Sequence, residues 1–450
     1  MSILIHKNIN KKSFLFLTLF LVCMLSSVFN SISVINLSPV IIAIIYTLSF
    51  CALNDRYRSL LYLSLIPVSN STILYYLHAM MLGFTVLSWL TSKERFTLKI
   101  RQIDIAFIFA MSYVAIREII VVHYAFSSYI TMMGLIACLV NIYLLSCKYK
   151  DDTGFVKTAL IFWSVSTIAL AVNMSILQLN VGGFSNGDTR LGSPVVLQSY
   201  NRNDILWQDP NYLGIYIIVA IMGMCITLKK FKNRTLPVAI ICGLLICGLA
   251  TASRGFLMSL CIMLIFFWAS ANSRKRIKYM MILPFLALGV MFMISSIGIG
   301  NYIYNTYSDR FSESDISNGR LLLYDKYSHL LMSDTSRTLF GIGLVNYPSR
   351  ASVIAGEKLL MVHNSVLEVL VVWGILGFMI LLIFIFICYK QIFHSINKIR
   401  IKILSVMPFL LFIVPTLTLT VFYSYYSIIP VLFFVVTATL SIKNAERSEL

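Results

Sequence analysis

The chain has 450 residues, 59% of them hydrophobic and 12% charged, with 36 Lys and Arg against 18 Asp and Glu. A soluble domain sits nearer 45–50% apolar and about 25% charged, so the composition excludes a soluble globular protein. The basic excess does not mark a nucleic-acid binder, because Lys and Arg fall in short clusters between apolar runs, as positive-inside membrane topology requires.

Lys7, Lys11 and Lys12 precede the first apolar run, and no small-residue cleavage pattern follows Phe29, so an uncleaved first span is expected. A span needs about 20 apolar residues. That measure places spans near 13–29, 33–53, 73–90, 103–122, 130–147, 157–177, 211–228, 236–251, 256–271, 279–298, 366–388, 403–420 and 424–441. With a cytoplasmic N-terminus, this odd number leaves Lys93, Arg95, Lys99 and Arg101 outside. Reading 59–90 as a hairpin, with a short limb up to Pro67 and a polar tip at Ser69-Asn70-Ser71-Thr72, sets every basic cluster inside. The expectation is an all-α polytopic transmembrane bundle of about 12–14 spans, the lower number applying if the short limb is re-entrant. Both termini are then cytoplasmic, and 1–450 is treated as a single domain. All nine cysteines (Cys23, Cys51, Cys138, Cys147, Cys225, Cys242, Cys247, Cys261 and Cys388) lie in or at the ends of apolar runs, which indicates neither a disulfide framework nor a thiolate metal site.

The same parity assigns 123–129, 178–210 and 299–365 to the outer face. In the last and largest loop, Asn318-Gly319 makes a turn, and Leu321, Leu322, Tyr324, Leu330 and Leu331 form a helical stripe suited to a membrane surface. Gly341-Ile342-Gly343 is a backbone break without Rossmann context, so it turns the chain and does not hold a nucleotide. Ser365, with Glu368 three residues on, reads as a capping box opening the next helix. His363 then lies just outside a helix N-terminus, where the macrodipole disfavours imidazolium and leaves a ring able to accept a proton. The alternative is a loop histidine that satisfies a carbonyl.

Ionisable groups in or at the outer ends of spans are functional candidates. Arg254, in Thr251-Ala252-Ser253-Arg254-Gly255, joins two spans on the outer side; otherwise its guanidinium reaches lipid phosphates. Arg117 and Glu118 are adjacent and cannot share one helix face, so one lines an internal cavity or both anchor at the interface. The 178–210 loop carries Arg190, Arg202 and Asp209-Pro210-Asn211, the last an ordinary helix start. Arg320 follows the Asn-Gly turn. Glu313-Ser314-Asp315 fits loop solubility better than a metal site, and no HExxH, CxxC pair or P-loop occurs. Arginine matches phosphate oxygens bidentately. Arg190, Arg254 and Arg320 beside a neutral His363 would bind a lipid-linked diphosphate and activate a hydroxyl.

His363-Asn364-Ser365 through Trp373-Gly374-Ile375-Leu376-Gly377 resembles the pattern of a histidine, ten residues and a glycine in the O-antigen polymerase and O-antigen ligase superfamily. Ser253-Arg254-Gly255, Arg190 with Gly192 and Asp209-Pro210-Asn211, and Gly319-Arg320 with Gly341-Ile342-Gly343 extend the resemblance over roughly 185–390. It implies a GT-C-like, metal-independent glycosyltransferase of the bacterial inner membrane, with a periplasmic site and no cofactor. The implied partners are an undecaprenyl-diphosphate-linked oligosaccharide, membrane lipid and a chain-length regulator, with no nucleic acid. His363 would act as general base or assist at the diphosphate, and Arg254, Arg190 and Arg320 would stabilise the leaving group. Arg117, Arg202 and Asn211 complete the expected substrate-binding set. A polymerase is preferred to a ligase, because a long first half and a large outer loop suit a repeat-specific enzyme. A protein O-oligosaccharyltransferase is a more distant option. A flippase or transporter, the rival from another class, would show paired halves with broken helices at mid-membrane.

Overall fold

The computed structural model describes residues 11–91, 101–120, 126–149, 152–181, 190–192, 205–228, 231–271, 319–393, 399–417 and 419. Among them every regular element is helical. In chain order these are α1 (Lys11–Ser31), α2 (Pro39–Ala52), α3 (Asp55–Leu65), α4 (Ser71–Thr91), α5 (Gln102–Ile120), α6 (Phe126–Tyr149), α7 (Thr153–Asn180) and α8 (Pro210–Thr227). They continue as α9 (Thr235–Ala250), α10 (Arg254–Ser270), α11 (Arg320–Met332), α12 (Thr335–Phe340), α13 (Tyr347–Ala355), α14 (Ser365–Phe393) and α15 (Ile399–Thr416).

Among the described residues, five helical stretches are long and apolar enough to cross a membrane: Lys11–Ser31, Met132–Tyr149, Thr153–Asn180, Pro210–Thr227 and Ser365–Cys388. The chain is an all-α polytopic bundle. Each expected span within the described residues falls on a helix, whereas 279–298 and 424–441 lie outside them. α2 starts later than expected, because the Ser38 side chain caps it and Pro39 takes the first helical position. The short limb of the hairpin is α3 with a 3₁₀ turn over Ile66–Val68, and it is buried from Ser59 to Val68.

The described residues group into two compact units; the first draws on Met1–Arg95 and Ala137–Thr251, the second on Phe96–Ile136 and Ala252–Val431. In the first unit α7 packs against α3, α8 and α9. α8 is buried almost throughout, as expected of a helix that is apolar on every side. Arg56 pairs with Asp152 and Lys148 with Asp55, which ties the start of α3 to the end of α6 and the start of α7. Asn173 on α7 donates to Ser31 Oγ (3.1 Å) and to the Leu206 carbonyl (2.9 Å), while the Leu206 amide donates to Ser31 Oγ (2.8 Å). Asn173→Leu removes this donor from the buried Leu206 carbonyl and leaves Ser31 Oγ with the Leu206 amide, and is expected to cost about 1–3 kcal/mol, read as a lower Tm of the detergent-solubilised protein. In the second unit α5 and α12 pack on α14, and α10 packs along α15.

Candidate functional site

The site is best built from the break in α14. At Gly374 the backbone turns to φ 68°, ψ −173°, a region that glycine almost alone occupies. A break inside an apolar helix frees carbonyls that must find other donors. Three consecutive ones do: Val371 accepts from the Ile342 amide (2.8 Å), Val372 from the Gly343 amide (2.8 Å) and Trp373 from the Tyr113 hydroxyl (2.7 Å). Gly341 has nearly the same geometry, φ 72°, ψ −169°. The two glycines pack reciprocally. A Cβ on Gly341 would lie 2.4 Å from the Val372 carbonyl oxygen, and one on Gly374 would lie 2.2 Å from that of Leu339. The Gly-Ile-Gly segment therefore does turn the chain, and it also supplies the amides that complete a broken membrane helix.

Arg117 and Glu118, near the end of α5, converge on the same segment. Both are buried, at 6% and 0% exposure. Arg117 donates from Nε to the Phe340 carbonyl (2.7 Å) and from a terminal nitrogen to the Gly341 carbonyl (2.5 Å). Glu118 Oε1 accepts from the Leu344 amide (2.7 Å) and from Trp373 Nε1 (3.1 Å). The two side chains leave α5 in different directions, yet each finds the segment, because its backbone presents carbonyls at 340–341 and an amide at 344. Arg117 is thus engaged with the backbone of its own unit, a role that its place in the sequence did not suggest.

At the other end of the same half-helix stands His363. Asn364 caps α14: its Oδ1 accepts from the Val366 and Leu367 amides at 3.0 and 3.1 Å. This corrects the expected capping box. Ser365 is already inside the helix, its hydroxyl donates to the Leu419 carbonyl (2.6 Å), and Glu368 is buried one position beyond the place such a box requires. His363 still lies just outside the helix N-terminus, with left-handed backbone at φ 50° and a partly exposed side chain. Asn364→Ala is expected to cost about 1 kcal/mol through loss of the cap, measured as thermal stability.

The backbone around His363 is held by the large loop. Tyr324 donates to the His363 carbonyl (3.1 Å), Tyr327 to that of Leu360 (2.7 Å), and the Val362 amide donates to the Tyr347 hydroxyl (3.0 Å). Burial, helped by the charge of Glu368, pushes the Tyr327 phenol far above its ordinary value and keeps it a donor. Arg320 is the first residue of α11, behind Gly319 at φ 73°, and is partly exposed. Tyr324 is four residues on, and positions i and i+4 share a helix face. The face that starts at Arg320 therefore reaches His363 one turn later.

Arg254 belongs to the same unit. It is the first residue of α10, where Ser253 Oγ accepts from the Phe256 amide (3.3 Å), and it too is partly exposed. α10 packs on α15, and Leu419, just past the end of α15, is the residue that Ser365 holds. Arg190 and Asn211 belong to the other unit. Arg190 precedes Leu191, whose amide donates to the Ala250 carbonyl (3.0 Å), while Gly192 lies against Gln208 and Pro210 at the start of α8. The backbone and side-chain amides of Asn211 both donate to Asp209 Oδ1 (2.8 and 3.0 Å), so its local contacts are those of a helix start. Arg202 and Glu313-Ser314-Asp315 lie outside the described residues.

Residues 238–382, about a third of the chain, fit the family model described as O-antigen ligase, and this stretch contains Arg254, Arg320, His363 and both reciprocal glycines. No curated protein matches the chain. Over that stretch the chain is similar to O-antigen ligases, and the match supports the O-antigen ligase and polymerase superfamily, whose members are glycosyltransferase-like membrane proteins.

Proposed function

We propose that the protein polymerises the repeat units of a surface polysaccharide, O-antigen or capsule. The donor is a growing glycan on undecaprenyl diphosphate, and the acceptor is the non-reducing-end hydroxyl of a new lipid-linked unit. The hydroxyl oxygen attacks the anomeric carbon, the bond from that carbon to the diphosphate oxygen breaks, and the hydroxyl proton passes to His363. Diphosphate leaves as an anion, so the main need is stabilisation of its charge. Arg254 and Arg320 take that part, without a metal ion. Arg190 and Arg202 are assigned to the lipid-linked substrate on their chemistry and the sequence resemblance. The reading places the protein in the inner membrane with its site on the periplasmic face.

The observation that carries the reading is the tether between Arg320's helix and His363 through Tyr324. Arg320, whose guanidinium matches phosphate, stands one helical turn before the tyrosine that holds the backbone of His363, the proposed proton acceptor. The test is reconstitution of the purified protein with lipid-linked repeat units: a ladder of longer products supports polymerisation, and unchanged substrate overturns it. A ligase is the second reading, favoured by the description of the matched family. Lipopolysaccharide from a deletion strain separates the two: core bearing single repeats marks a polymerase, and core bearing none marks a ligase. Loss of repeat-unit translocation instead would mark a transporter.

A further inference from the structure

We infer that Arg117 and Glu118 are positioning residues which set the place of His363 by locking the broken end of its half-helix; the effect on turnover rests on the function proposed above. The half-helix from Ser365 to Trp373 has His363 and its Asn364 cap at one end and the Gly374 break at the other. Its nine residues span only about 13 Å at the rise of an α-helix, so it moves as a rigid rod and a displacement at the break is felt at His363. The break is not held by α14 itself. Ile342 and Gly343 of the large loop, with Tyr113 of α5, hold its freed carbonyls, and all five residues from Phe340 to Leu344 are fixed through named backbone groups. The carbonyls of Phe340 and Gly341 are taken by Arg117, the amides of Ile342 and Gly343 by Val371 and Val372, and the Leu344 amide by Glu118. Glu118 also grips Trp373, the last residue of the half-helix, so one carboxylate oxygen joins loop and rod directly.

The polarity is matched at each contact: the cation meets carbonyls and the anion meets N–H groups. Ionisable groups buried in an apolar interior are retained for a task. Here both are turned onto the backbone of a segment more than 200 residues away. A segment that needed only to be buried would be served by apolar contacts. This one is fixed in register, residue by residue, at the end of the rod that carries the proposed base.

The test uses the full-length protein in lipid nanodiscs, with two readouts for Glu118→Leu, Glu118→Gln and Arg117→Lys. Backbone hydrogen exchange of 342–344 and of 365–370 reports the lock independently of activity. Glu118→Leu and Arg117→Lys are expected to speed exchange in both stretches, and Glu118→Gln, which keeps an acceptor oxygen, to leave it near wild type. With lipid-linked repeat units as substrate, the first two variants are expected to lose about 100-fold in kcat, the scale of a misplaced catalytic group, with KM for the donor little changed. Unchanged exchange in both disruptive variants overturns the lock. Faster exchange with normal kcat, or a loss confined to KM, overturns the positioning role. Unchanged substrate with the wild-type protein overturns the proposed function, and a fully active His363→Ala overturns the role of His363 as base, while in either case the exchange result still decides the lock. If Glu118→Leu does not accumulate, Arg117→Lys carries both readouts.

Discussion

Gly374→Ala is expected to reach the membrane at a small fraction of the wild-type level, and the part that survives solubilisation to unfold at clearly lower temperature. The backbone at this position costs a residue with a Cβ about 1–3 kcal/mol. The added carbon would stand 2.2 Å from the Leu339 carbonyl oxygen, which belongs to backbone and cannot rotate away. Overpacking of this kind adds about another 1–3 kcal/mol, so the sum approaches half the stability of a typical domain. Gly341→Ala should behave alike, because its Cβ would strike the peptide between Val372 and Trp373. Fluorescence size-exclusion chromatography with a melting series measures both. Wild-type levels and melting temperature in Gly374→Ala would show that the break is not held by this contact.

The second large effect falls on chemistry. His363→Ala, purified at normal levels, is expected to lose about 10²–10⁴-fold in glycan transfer, the usual contribution of a positioned general base. Arg254→Ala should fall comparably, since removing one charge-stabilising group of this type costs about 10²–10³-fold. Arg254→Lys should recover only part of the loss, because a point charge does not reproduce the bidentate fork. The assay is elongation of lipid-linked repeat units by purified protein, read as product length. Elongation that persisted in both alanine variants would overturn the roles given to His363 and Arg254. Tyr324→Phe is a finer probe: it frees the His363 carbonyl without touching the ring, and should lower turnover by a smaller factor.

How much was legible depended on the range of the interaction. The α8 start at Pro210, capped by Asp209, and the α11 start behind Gly319 are local patterns, and the structure keeps both. The α14 start was misplaced by one position. Asn364 and Ser365 are both good caps, and Glu368 imitates a capping box. What separated them was the Leu419 carbonyl, 54 residues away, which takes the Ser365 hydroxyl. For Arg117 and Glu118 the sequence could state only that two adjacent charges diverge. Their partners lie 223–255 residues on, and no periodicity links them. The glycines of Gly341-Ile342-Gly343 and of Trp373-Gly374 were visible singly; their mutual contact was not.

The sequence by itself determined that the chain is an apolar, all-helical, polytopic protein and where its long apolar helices lie, because burial of apolar side chains in a membrane is close to a sum over residues in order. Only the tertiary structure decided which backbone groups complete the broken α14, and that the described residues form two units interleaved along the chain. An N–H or carbonyl freed inside an apolar interior must be met by some other segment, and which segment arrives is set by packing, not by the neighbours in sequence.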